Sequence, residues 1–457
     1  MLVATFFTAE AANADSAGFG VLKEIPLPPS GVSIDSTLNP ATPHTNAVSL
    51  SKPTKPRLEP TEERAKLARQ PVQRIYPVDS SKYASNSLMV HAGANDPITS
   101  YECQLAYENG YREEFFVKNR FAHCQYILLT YTYYERLGAP PSGTATAKAT
   151  IVFNMQPNTR EIQVATRLFS WSFSGYVPLN RQIGAQVGCM GIGLAGSTAK
   201  CNYPEQGSYR SISSWQTSPV DAWSFLPQGE DPPNPDEPDQ VKPEKRTLYN
   251  IARYFYTYGG PGPWDNFNQT PTSTLPFRCD VARATNPNYA KSSDCVFHGA
   301  TGWLRFNVND PAITESAQLY FDAHQDFDKT YPSGGQGKYV PGNIGVPTWE
   351  HRTEPIRRNF YDSLLQNNNY NTSVKFCKEK WGPNYKTRPD GQVNECDEFP
   401  FKTTYEGSFT VTPNMLRTVA VRPVLKEHNR ETGSRWGTFL AEDHILDGDR
   451  VFVEAYK

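Results

Sequence analysis

Apolar and polar positions alternate in short runs through the middle of the chain, the period-two pattern of half-buried strands. Between Glu161 and Trp171, the residues Ile162, Val164, Thr166 and Leu168 fall on one face. Gln125–Tyr134 (QYILLTYTYY) is dense in β-branched and aromatic residues, and Ala145–Phe153 is a further strand candidate. Pro140-Pro141-Ser142-Gly143 and Gln156-Pro157-Asn158 read as the turns between them. Several short strands at this spacing predict an all-β, sandwich-like domain over residues 85–225.

The pattern changes downstream. Asp310-Pro311 ahead of Ile313–His324 reads as a capped helix. Thr353 and Pro355 open a second, with Ile356, Phe360 and Leu364 at i, i+4 and i+8 on a single face. Thr418–Val424 and Arg450–Ala455 are strand candidates. The mixture predicts an α+β domain over residues 246–457. Residues 226–245 (LPQGEDPPNPDEPDQVKPEK) are acidic and proline-rich, the composition of a stiff, solvated linker. Residues 1–84 read as a leader, with proline-rich patches that cannot build a core and one short helical stretch at Thr61–Gln70. Its start, MLVATFFTAEAANADSAG, has a short apolar piece and then small residues around Ala11 to Ala14, without a basic n-region. It reads either as the tail of a secretory signal or as a disordered terminus.

Composition narrows the setting. Of 457 residues, 38% are hydrophobic and 20% charged, both low for a compact cytosolic protein, while aromatics reach 12%. Net charge is −2, which excludes a global basic field, so any attraction for nucleic acid must be local. No apolar run approaches the ~20 residues of a membrane-spanning helix. Eight cysteines fall into four neighbouring pairs: Cys103 with Cys124, Cys189 with Cys201, Cys279 with Cys295, and Cys377 with Cys396. None has C-x-x-C spacing. Pairing each with its neighbour closes four small loops, as expected in an oxidising, extracellular compartment; scattered buried thiols are the alternative.

Candidate chemistry concentrates in Cys396–Gly407, CDEFPFKTTYEG, where Asp397, Glu398 and Glu406 lie within ten residues. Pro400 forbids a helix here and favours an extended Phe399. In an extended chain Asp397 and Glu398 point to opposite sides, and Glu406 can rejoin one of them after the turn. Converging carboxylates hold a hard cation or activate water; composition alone favours the other reading, a solvated acidic loop.

This segment resembles the central motif of the NucA/NucB deoxyribonuclease family, in which a DE-aromatic-Pro core is followed by an acid and a glycine. The resemblance continues through Val421-Arg422, His428-Asn429-Arg430, Gly433-Ser434 and Gly437, and through Ile445–Val453 with its Asp447-Gly448-Asp449 run. It covers residues 377–455 closely and reaches back loosely to about 275, around Arg278-Cys279-Asp280 and Cys295-Val296-Phe297.

The resemblance implies a secreted, metal-assisted endonuclease acting on DNA with little sequence specificity. It implies Asp397, Glu398, Glu406 and Asn429 as catalytic residues, and Mg²⁺ or Mn²⁺ as cofactor, with Asp397 and Glu406 as its ligands. Glu398 is equally readable as a structural residue. Two positions depart from the pattern. Lys402 replaces a small residue and is either a phosphate contact or merely exposed. His428 replaces an acid and is either a base or a surface change.

His351, Arg352, Arg422 and His428 are candidate DNA contacts. Residues 351–390 carry eight basic against four acidic side chains, either a phosphate-binding face or an ordinary mixed helix surface. An immunity or inhibitor protein is a further expected partner. Two rival functions stand beside this one. One is an extracellular adhesion protein binding DNA or glycan without cutting. The other is a glycan hydrolase, for which residues 85–225 offer no recognisable carboxylate pair.

Overall fold

The computed structural model describes residues 18–26, 74–85, 96–111, 113–136, 138–192, 197–202, 208–230, 244–257, 268–269, 274–290, 292–333, 338–344, 354–410 and 418–457. The helical stretch expected at 61–70 and the candidate contacts His351 and Arg352 lie outside the described residues.

The first half is mostly strand: β1 (Phe19–Pro26), β2 (Arg74–Asp79), the helix α1 (Ser100–Glu108), β3 (Phe116–Asn119), β4 (Ala122–Tyr134), β5 (Gly143–Met155) and β6 (Ile162–Gly175). There follow β7 (Gln182–Gly191), β8 (Lys200–Asn202), β9 (Ser208–Ser211), α2 (Ile212–Thr217) and β10 (Val220–Gln228). Past the acidic stretch come β11 (Thr247–Thr257), β12 (Asn268–Gln269), β13 (Thr274–Cys279), α3 (Ala282–Thr285), β14 (Cys295–Phe297) and β15 (Ala300–Asn307). The last part holds α4 (Thr314–Gln325), β16 (Ile356–Arg357), α5 (Ser363–Trp381), β17 (Asn394–Phe399), β18 (Ala420–Leu425), α6 (Lys426–Glu442) and β19 (Arg450–Tyr456).

The fold is therefore mixed α/β and rich in sheet, with one sheet curled into a half-barrel. The larger sheet runs β1-β4-β5-β6-β10-β8, and a second runs β14-β13-β11-β7-β9. The alternation in β6 translates directly into burial: Ile162, Val164, Thr166 and Leu168 are all shielded from solvent. β4 is buried on both faces along nearly its whole length, which explains why its sequence is a continuous apolar and aromatic run rather than an alternating one. All eight cysteines pair with their neighbours, as four disulfides.

Strand pairing ignores the compositional boundaries. β11, just after the acidic stretch, hydrogen-bonds along β7, which precedes it. β1 and β2, inside the expected leader, pair with β4 and β15. A mixed sheet in the order β16-β19-β15-β2 carries the C-terminal region, with β15 parallel to both neighbours. One apolar cluster extends from Leu22 to Ala455. Composition marks a segment as solvated; it does not say which strands on either side share backbone hydrogen bonds.

Two local expectations change. The helix anticipated from Thr353 is instead the short edge strand β16, paired with β19; the helix starts at Ser363, where Asp362 accepts from the Leu365 N–H. The apolar spacing of Ile356, Phe360 and Leu364 is coincidental: Ile356 is buried against the sheet while Leu364 is 69% exposed. α4 is present, but Asp310 does not cap it; its carboxylate receives the Ala312 N–H and Arg435 instead.

Candidate active site

β17 and β18 form an antiparallel hairpin that runs straight into α6, with Asp397 opposite Arg422 and Glu398 opposite Val421. The Cys377–Cys396 disulfide ties the start of β17 to α5. Closing a loop of 19 residues is worth about 3 kcal/mol by chain entropy. α4 packs behind the hairpin and brings Tyr320, whose hydroxyl donates to both Asp397 carboxylate oxygens at 3.4 Å.

Asp397 is 3% and Glu398 9% exposed. Asp397 Oδ1 accepts the Glu398 N–H at 2.8 Å, and Glu398 Oε1 accepts the Lys402 N–H at 3.2 Å. Those few donors do not offset the loss of water. Burial pushes the Asp397 carboxyl up to about 7. Burial and then the neighbouring Asp397 charge push Glu398 up to about 8, against the pull of the Lys402 ammonium. Both acids line a cavity of ≈ 580 Å³, together with Glu395, Asn429, Arg430, Lys386 and Lys402. At one end α6 clamps Glu395: Asn429 Nδ2 donates to it at 3.1 Å and Arg430 Nη2 at 3.1 Å.

The residues anticipated as a site do not all meet. Asp397, Glu398 and Asn429 line this cavity; Glu406 does not. Its carboxylate is taken by Arg357, through the backbone N–H at 2.8 Å and the guanidinium at 2.7 Å. Arg422 bonds Asp322 at 2.7 Å and lines a second cleft with Trp381 and with Tyr385, which borders both that cleft and the acid-pair cavity. His428 accepts the Glu315 N–H at 3.4 Å, between α4 and α6, away from the acid pair. The basic stretch is dispersed as well. Arg357 and Arg388 are paired to carboxylates, Arg358 is buried, and among the described residues of that group only Arg358 and Lys386 reach the cavity.

Among the described residues no group of three His, Cys, Asp or Glu side chains is close enough to cage a metal. Asp397 and Glu398 nevertheless fit a Mg²⁺-type ion. Both line the cavity with oxygen donors, the ligand type such an ion takes.

Sequence reasoning missed two constellations. Asp449 gathers three arginines from distant segments: Arg278 at 2.6 Å, Arg120 at 3.0 Å and Arg246 at 3.5 Å. Burial opposes its charge, but Arg278 and Arg120 hold its carboxyl well below the usual range. No local signal connects these residues, because Arg120 and Asp449 are 329 positions apart. Nearby, Ser292 Oγ meets His444 Nδ1 at 2.7 Å and His444 Nε2 meets Asp280 at 2.9 Å, the connectivity of a Ser-His-Asp triad. All three are almost wholly buried and line no described cavity, so the arrangement is a structural tie.

The site is thus a buried acid pair lining a cavity edged by an asparagine and cationic side chains. In the C-terminal segment, residues 357–454 match the family model described as Deoxyribonuclease NucA/NucB. No curated protein and no solved structure matches the chain. The matched segment includes the acid pair, Asn429 and Asp449. Tyr320, Arg120, β2 and β15, which support it, lie outside.

Proposed function

We propose that the chain is a secreted endonuclease hydrolysing DNA phosphodiesters at the Asp397–Glu398 cavity, with the sandwich-like β region as its scaffold. The observation that carries this reading is the acid pair itself: two neighbouring carboxyls kept 3% and 9% exposed at the edge of an open cavity. Burying unpaired carboxylates is costly, and a fold that served only packing would place apolar groups there.

A bound Mg²⁺ or Mn²⁺ supplies charge neutralisation at the nonbridging phosphate oxygens and makes a water more acidic. Asp397 and Glu398 are the residues to hold it. Whichever of the two carboxylates the ion leaves free is placed to accept a proton from attacking water. Asn429 donates to the phosphate when it leaves Glu395, and Lys402 and Arg430 offset the developing charge. Contacts of this kind grip backbone and not base edges, so cleavage carries little sequence preference. Four disulfides suit an extracellular location, and among the described residues no helix is long and apolar enough to cross a membrane. A released nuclease would call for an inhibitor or immunity protein in the cell that makes it.

The test uses the full oxidised chain with plasmid DNA, in Mg²⁺, in Mn²⁺ and in EDTA, beside Asp397→Ala and Glu398→Ala. We expect nicking and linearisation with metal, and a loss of at least 100-fold in each variant. Undiminished cutting by both folded variants would remove the acid pair from the mechanism.

A further inference from the structure

The acid pair fills only part of its cavity, and the remainder has features that packing does not explain. We propose that the α6 face carrying Gly433 and Gly437, beyond Asn429, forms a second subsite with the Tyr385 hydroxyl. It takes the phosphodiester backbone of the strand beyond the scissile bond. This inference rests on the nuclease reading above and specifies where that substrate lies.

Two glycines inside a helix weaken it, since glycine is the poorest helix former after proline. A Cβ added at Gly433 or Gly437 meets nothing within 4 Å, so no neighbouring protein atom requires the missing side chain. Both line the cavity, with Asn429 one turn before and Ala441 one turn after. Positions 429 to 441 span about 18 Å of helix, a shallow track open to solvent. The track is long enough for more than one consecutive phosphate of a DNA strand.

Tyr385 supplies the independent observation. It is 5% exposed and packed beside the Cys377–Cys396 disulfide. Its hydroxyl is buried with no hydrogen-bond partner, the only such atom among the described residues lining this cavity. Its electrostatic neighbours are Tyr370 and Glu395, which line the same cavity. Glu395 is already engaged by Asn429 and Arg430, leaving the phenol O–H as a donor in want of an acceptor. A nonbridging phosphate oxygen is such an acceptor. Lys386 and Lys402, also on the cavity, supply the positive charge that an anionic backbone needs.

The experiment compares the full oxidised wild type with Tyr385→Phe, Gly433→Ala and Gly433→Leu. Kinetics are measured on a labelled DNA duplex, with Tm for each protein. Tyr385→Phe should raise KM about 3–10-fold with kcat within about twofold and Tm not lowered. Gly433→Ala should raise Tm by about 1–2 °C, and Gly433→Leu should raise KM at least about tenfold without unfolding the protein. Opposite movements of stability and KM distinguish a substrate track from a structural one. Normal wild-type cleavage with KM unchanged in Tyr385→Phe and Gly433→Leu overturns the subsite and leaves the nuclease reading standing. Wild type that neither cuts nor binds the duplex overturns both.

Discussion

Replacing Asp449 with asparagine removes the one carboxylate shared by Arg120, Arg246 and Arg278, whose side chains are 4%, 6% and 1% exposed. Breaking a buried ion pair from one side costs about 3–5 kcal/mol, because the partner charge stays buried. At about 1–2 °C per kcal/mol for a chain of this size, Tm should fall by roughly 3–10 °C. The pH dependence follows from the same contact. The Asp449 carboxyl lies well below its ordinary value in the folded chain, so the unfolded chain takes up its proton first as pH falls. Its contribution is complete above about pH 5 and declines below about pH 4. The gap in Tm between wild type and Asp449→Asn should therefore be widest at pH 7 and narrow at pH 3. Calorimetry on the full oxidised proteins at the two pH values measures it. A gap under about 1 °C at pH 7, or one that stays constant down to pH 3, would refute the argument. The contact also bears on which fragments can be studied. A 246–457 piece lacks Arg120 and β2, the parallel neighbour of β15, so cleavage assays belong on the full chain.

Two further outcomes are expected. Glu406→Gln should keep DNA cleavage within about threefold of wild type, because that carboxylate pairs with the half-exposed Arg357 and stays out of the acid-pair cavity, and such exposed pairs are worth at most about 1 kcal/mol; a loss comparable to Asp397→Ala in the same plasmid assay would restore Glu406 to the site. The double variant Cys377→Ser/Cys396→Ser should unfold about 3 kcal/mol more easily in urea, since it frees the 19-residue loop that anchors β17 to α5; an unchanged midpoint would show that the anchor contributes nothing.

Much of this was legible in the chain. Strand periodicity marked β6, because alternate burial leaves a local imprint on every second residue, while the density of β-branched and aromatic residues marked β4. Cysteine spacing marked the four disulfides, since short loops favour neighbouring partners. The DE-aromatic-Pro segment marked Asp397 and Glu398, and the matched family segment contains both.

What required tertiary structure was every relation between distant segments. Strand 74–79 beside strand 300–307, Asp449 among three far-off arginines, and Glu406 turned to Arg357 leave no periodic trace in sequence. The physical reason is that local pattern records how often a residue is buried. Which partner buries it is decided by backbone hydrogen bonding and charge pairing across the folded core, where hundreds of residues separate groups only 3 Å apart.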